Sequence, residues 1–247
     1  MITLALAEFL FALILLVIAY FISQTINGFL QATIINALGD STAKDEGYQS
    51  LNPLDHIDTF GFLALIILGI GWLQTVPIDP YSFTGSYRYL RLLIAFSVEA
   101  IVSLCLATFS LFTAVYLYGY PLTIKLVLKL FTYYSKFFLL FLSSTSTLNI
   151  ASVFSENPST TAIVFAFLLV SMVYLNILVA TISFIFNGFR YLLVLGFEQG
   201  YSYMDYADYL AILGPFLVVY VFGDQLVYFL LRLTEWGACH IACLFGV

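Results

Sequence analysis

The chain has 247 residues, of which 62% are hydrophobic and 9% charged, with a net charge of -6. A soluble domain of this length has too little interior to hide so much apolar surface, and the period-2 alternation in blocks of about ten residues that marks a transmembrane barrel is absent. A soluble enzyme and a barrel are thereby excluded, and the acidic balance argues against nucleic acid or an anionic-lipid patch as partner. What remains is an all-α, polytopic membrane helix bundle, expected as a single integral membrane domain over residues 1–247.

Six apolar segments follow along the chain, near 4–36, 59–73, 92–117, 122–143, 161–186 and 209–233. Five or six of them are expected to span. A hydrocarbon core of about 30 Å needs about 20 helical residues, so the first segment is over-long and the second short. The N-terminus, MITLALAEFLFALILL, has no Lys or Arg before Lys44 and lacks the basic region and cleavage site of a signal peptide, so it is read as the first span. Glu8 lies near the end of that span. The fourth segment places Lys125, Lys129 and Lys136 on one helical face, which either lies at the interface with snorkelling side chains or packs on acidic partners. Arg88 and Arg91 fall in one loop and Arg190 in another, which leaves the orientation undecided. The 18 Tyr and 25 Phe read as interfacial belts and packing.

Three cysteines, Cys105, Cys239 and Cys243, make no disulfide framework. The run Cys239-His240-Ile241-Ala242-Cys243 invites a metal reading, but structural zinc wants four ligands; a bland apolar tail or an acylated thiol suits it better.

The first segment contains a polar stripe. Gln24, Asn27 and Gln31 recur at spacings of three and four, so a helix stacks them on one face. Carboxamides in hydrocarbon lose water and need partners inside the bundle. A zinc protease built in a membrane uses this spacing for H-E-x-x-H, in which two His bind metal and the Glu activates water. Here the five residues are Asn27-Gly28-Phe29-Leu30-Gln31.

The segments that follow strengthen the comparison. Leu38-Gly39-Asp40-Ser41-Thr42-Ala43 comes next, then Leu51-Asn52-Pro53-Leu54-Asp55-His56-Ile57-Asp58, then Gly71-Trp72 and Val76-Pro77-Ile78-Asp79-Pro80. This order resembles the compact bacterial site-2 proteases, intramembrane zinc metalloproteases. In that family an L-G-D-x-T-A element follows the H-E-x-x-H helix, and an N-P-L-x-H-I-D loop and a G-W-x-x-P-V-P-V-x-P segment come after it. The resemblance covers residues 27–81 and thins beyond them. The family's A-G-P span meets Ala95-Phe96-Ser97-Val98-Glu99-Ala100 here. Its third ligand, the Asp of an L-D-G motif, finds its best match in Asn187 of Phe186-Asn187-Gly188-Phe189-Arg190, with no proline between Pro158 and Pro215 to break the helix.

The resemblance implies a site-2-protease-like core in which Asn27, Gln31 and Asn187 replace the metal ligands and Gly28 replaces the general base. Carboxamides bind zinc poorly, and glycine accepts no proton, so neither metal nor catalysis is expected. The amides are expected to hydrogen-bond one another in the former cavity. The bland alternative is interhelical amide glue in an unrelated bundle.

Two further sites draw attention. His56, with Asp55 and Asp58, reads either as a metal cluster or, together with Asn52, as loop-ordering hydrogen bonds. Glu99 is a mid-span acid, expected to be neutral or paired with Asn176, Asp224 or Arg190.

Three function classes follow. The leading one is an inactive homologue acting by binding, as an accessory subunit of a membrane assembly or a holder of transmembrane helices. Its partners would be other membrane proteins and lipid, with no cofactor, in a bacterial or organellar inner membrane. An active metalloprotease needs His ligands in helical register with Glu, and only His56 and His240 are present. A transporter or proton-conducting subunit centred on Glu99 predicts a polar path and an internal repeat.

Overall fold

The computed structural model describes residues 2–134, 159–198 and 225–243. Its elements run α1 (Ile2–Leu38), α2 (Thr42–Asp45), a 3-10 turn (Pro53–Asp55), α3 (Thr59–Leu68), α4 (Arg88–Tyr118), α5 (Tyr120–Tyr134) and α6 (Thr160–Glu198). A final helix, α7, covers 225–243.

Helix α1 is long because nothing in Ile2–Leu38 interrupts it. There is no proline, and the chain turns only at Gly39, whose φ of 114° is open to glycine alone at low cost. Its surface is inverted relative to a soluble helix. Leu6, Leu10, Ile14, Ile18 and Ile22 form an exposed stripe at four-residue spacing, while Gln24, Asn27 and Gln31 are buried. Apolar side chains outward and polar ones inward is the arrangement that lipid favours, because the buried amides find partners only inside the bundle.

Among the described residues three helices are long and apolar enough to cross a membrane: Leu6–Leu38, Arg88–Tyr118 and Thr160–Gly196. These match the first, third and fifth expected segments. The second is a correction. Helix α3 has only ten residues, about 15 Å of rise, and stops at Gly69 in the left-handed conformation. The chain then folds back along it, so closely that a Cβ on Gly61 would lie 2.6 Å from the Trp72 carbonyl oxygen. Tyr20 of α1 donates to that same oxygen at 2.7 Å, pinning the returning strand against α1. The fourth expected segment is described as helix only to Tyr134, with Lys125 exposed and Lys129 half-buried near Glu8; Lys136 lies outside the described residues. Most of the sixth also lies outside them, and its described end belongs to α7.

The core forms where α1, α4, α5 and α6 meet. Leu16, Tyr20, Leu111, Leu130, Tyr134, Phe167 and Tyr174 are buried together, with Tyr134 donating or accepting at Ser171 Oγ over 2.9 Å. A second, smaller cluster joins the end of α1 to the start of α4 through Ile35, Ala43, Val76, Phe83, Leu92 and Phe96. Asp40 anchors that end. Its Oδ1 accepts from the Thr42 amide and hydroxyl, and its Oδ2 accepts from the Asp79 amide at 2.8 Å. The L-G-D-S-T-A turn and the V-P-I-D-P segment are thus tied by one buried carboxylate. Helix α7 returns to the bundle where Gly237 meets Thr108 of α4 and Tyr120 donates to Glu235.

Candidate functional site

The polar interior of the bundle is built by the three long apolar helices, each contributing a short polar run at helical spacing. Helix α1 gives Gln24, Asn27 and Gln31; α4 gives Glu99 and Ser103; α6 gives Ser183, Asn187 and Arg190. In each, residues four apart lie on one face, so the packing angle needs only to turn those faces together.

Glu99 is the hub. Its Oε1 accepts from Ser183 Oγ at 2.5 Å and its Oε2 from Asn187 Nδ2 at 3.0 Å. Its backbone carbonyl accepts from Asn27 Nδ2 at 3.4 Å, and the same nitrogen donates to Ser103 Oγ at 2.6 Å. Asn27 and Asn187, 160 positions apart, therefore meet at one residue. Arg190 donates to Asn187 Oδ1 at 3.4 Å and lays its guanidinium over the Phe96 ring at 5.5 Å.

Two expectations are corrected. The amides do not bond one another: Asn27 goes to α4, Asn187 goes to the Glu99 carboxylate, and the oxygens of Gln24, Asn27 and Gln31 are buried without a partner. An oxygen can take only a donor, and the Asn27 and Asn187 nitrogens are already directed at α4. The anticipated partners of Glu99 also change. Asn176 donates to Ser23 instead, Arg190 is close enough to act on Glu99 by charge but hydrogen-bonds Asn187, and Asp224 lies outside the described residues.

The loop before α3 is ordered by its own polar residues. Asn52 caps the 3-10 turn, accepting from the Leu54 amide, and donates to Asp55 Oδ1 at 3.1 Å. Asp58 caps α3, its Oδ1 accepting from the Gly61 amide at 2.6 Å. His56 points the other way, into the bundle, and is 1% exposed. His56, Asp55 and Asp58 therefore serve three different places and do not gather into a metal cluster.

His56 is held by Nε2 at 2.7 Å from the Ser50 carbonyl oxygen. A carbonyl only accepts, so Nε2 carries a proton; the other ring nitrogen is Nδ1. That Nδ1 is buried without a partner and lies against Gly28: a Cβ at residue 28 would be 2.2 Å from it. In the family resemblance, position 28 carries the general base and positions 27 and 31 the histidines. The residues at these positions do not fit zinc. Asn27 spends its nitrogen on α4, Asn187 is engaged with Glu99, and the volume a side chain at 28 needs is filled by an imidazole. Among the described residues no three of His, Cys, Asp and Glu gather to hold a metal ion.

At the other end, Cys105, Cys239 and Cys243 are free thiols. Burial, with the nearby Glu235 carboxylate, raises the Cys239 pKa, which disfavours the thiolate a metal requires. His240 Nδ1 is taken up by the Trp236 carbonyl of its own helix.

Sequence reasoning missed Ser23, Ser103 and Ser183. The signal was present: Glu99–Ser103 and Ser183–Asn187–Arg190 recur at spacings of four and three, as Gln24–Asn27–Gln31 does. Serine in an apolar helix is common enough to pass unnoticed, since it can bond its own backbone.

The fold and site are those of a helical membrane protein whose polar core is shared by three helices long and apolar enough to cross a membrane. Over 68 residues, 28% of this chain, it is 35% identical to the protein of Bacillus subtilis (strain 168) whose name reads "Putative zinc metalloprotease YwhC". The match spans 31% of that relative, less than a third of its length. No family model matches the chain, and no solved structure matches it.

Proposed function

We propose that this chain is a catalytically inactive, site-2-protease-like membrane protein that works by binding, as an accessory subunit of a membrane assembly or a holder of transmembrane helices. The observation that carries the reading is the position of the His56 ring against Gly28. Where the resemblance puts a general base flanked by two histidines, there is a glycine flanked by two carboxamides, and a loop imidazole fills the remaining space. Hydrolysis of a peptide needs an activated water, and none of Asn27, Gly28 or Gln31 polarises or deprotonates one. The match to the metalloprotease relative supports common ancestry of that part of the chain, and the intact loop motifs support retention of the scaffold.

The partners would be other membrane proteins, or single helices that meet the exposed apolar faces of α1 and α4, with lipid covering the remainder. The site of action would be a bacterial or organellar inner membrane. The test is purification in mild detergent with identification of the co-purifying chains, beside incubation with a model transmembrane substrate. Stable membrane partners without cleavage are expected. Chelator-sensitive cleavage by the unsubstituted chain would overturn the proposal.

A further inference from the structure

The contact between His56 and α1 has an unusual balance. Every hydrogen bond of this residue runs to its own loop or to the segment after α3: the ring Nε2 to Ser50 O, the amide to Pro53 O at 3.1 Å, and the carbonyl from the Gln74 amide at 3.2 Å. The neighbouring Ile57 bridges Leu73, and the Tyr48 ring stands 6.5 Å from the imidazole. Toward α1 there is no hydrogen bond at all. The ring meets the helix at Gly28 by shape, with Nδ1 foremost.

Only glycine allows this. A Cβ at residue 28 would come within 2.9 Å of three ring atoms, Nδ1, Cγ and Cε1. Heavy atoms do not approach so closely, so any side chain there expels the ring. Yet glycine in a helix interior is unfavourable by about 1 kcal/mol relative to alanine. On the same face, one turn to either side, sit Gln24 and Gln31, whose buried oxygens lack donors. The wall that the ring meets is therefore flat and tight, with a buried acceptor residue one helical turn to either side.

We propose that Gly28, with the amide oxygens of Gln24 and Gln31 beside it, forms a slot for one flat heteroaromatic ring, which the chain fills with its own His56, so that the 48–58 loop acts as a strap closed over α1. Seated, the ring denies the polar stripe to any other molecule. Unseated, it opens those two amide oxygens to a hydrogen-bond donor. The slot rests on the geometry alone and does not depend on the accessory reading.

The test combines a cavity and a clash, both read as melting temperature of the detergent-solubilised full chain. For His56→Gly, free imidazole is the probe. It should raise the melting temperature saturably, and should leave unchanged both the unsubstituted chain, whose slot is filled, and the Gly28→Ala/His56→Gly double variant, whose slot is closed. For the clash, Gly28→Ala should melt about 5 °C or more below the unsubstituted chain, against its better helix propensity. The Gly28→Ala/His56→Gly double variant should recover part of that loss. If His56→Gly does not fold, the clash arm decides, with Gly28→Ala/His56→Ala as the double. Gly28→Ala melting at or above the unsubstituted temperature, or a folded His56→Gly indifferent to imidazole, would overturn the slot.

Discussion

Asn187 of α6 donates to the Glu99 carboxylate of α4 at 3.0 Å, while Asn27 of α1 donates to the carbonyl of the same glutamate. One residue thereby joins the three long apolar helices. In a bilayer, apolar burial gives helices little reason to prefer each other over lipid, so such polar contacts and close packing specify the arrangement. Both of its carboxyl oxygens are engaged by α6.

Glu99 is accordingly expected to be a stability residue. Glu99→Leu leaves Asn187 and Ser183 facing an alkyl group and should cost about 1–3 kcal/mol, the range for stranding a buried polar partner. Glu99→Gln keeps an acceptor for Asn187 and a donor that the Ser183 hydroxyl can accept, so it should cost less. Denaturation in mixed micelles, followed by circular dichroism, checks the order; equal losses would mean that the contacts to α6 contribute little.

Two amides of the stripe, Asn27 and Gln31, should respond differently. Asn27→Leu removes a donor used by Ser103 and the Glu99 carbonyl, and should destabilise by about 0.6–2 kcal/mol. Gln31→Leu removes an oxygen that has no donor, so it should be neutral or stabilising by up to about 1 kcal/mol. Paired unfolding measurements decide it. A loss for Gln31→Leu as large as for Asn27→Leu would show that the Gln31 oxygen has a donor after all.

Asp58 should act on α3 alone. Replacing it with alanine removes the cap on the Gly61 amide and should cost about 1 kcal/mol, with faster hydrogen exchange confined to the first turn of α3. Exchange spreading along α1 would show that the cap also holds the loop that seats His56.

Metal content is the simplest measurement. The purified chain is expected to bind no stoichiometric zinc, since carboxamides stand where the site-2 protease resemblance would put metal ligands. Elemental analysis giving about one zinc per chain, lost on Asn27→Ala, would contradict this.

The class of the protein follows from composition and from α1 itself. A helix free of proline, apolar except for one stripe, has a single stable placement, with the stripe turned inward, and that much is local physics. The caps at Asn52 and Asp58 are equally local, because an N-cap bonds within three residues of itself. Even the meeting of Asn27 with the Asn187 region followed once the loop motifs suggested a shared core.

The identity of the bonds was decided only by tertiary structure. Which donor finds which acceptor depends on helix rotation and on angstrom-scale offsets that periodicity does not encode. Asn27 took Ser103, Asn187 took Glu99, and the amide oxygens of Gln24, Asn27 and Gln31 were left over. The length of α3 also escaped sequence reading. The apolar run 59–73 looks continuous, but Gly69 turns left-handed and the chain folds back, because Gly61 lets the Trp72 backbone approach and Tyr20 holds it there. His56 is the clearest case. Its loop motif marks it as an ordered residue, but that its ring enters α1 at Gly28 depends on two segments 28 positions apart packing without a Cβ between them, and only the folded chain brings them together.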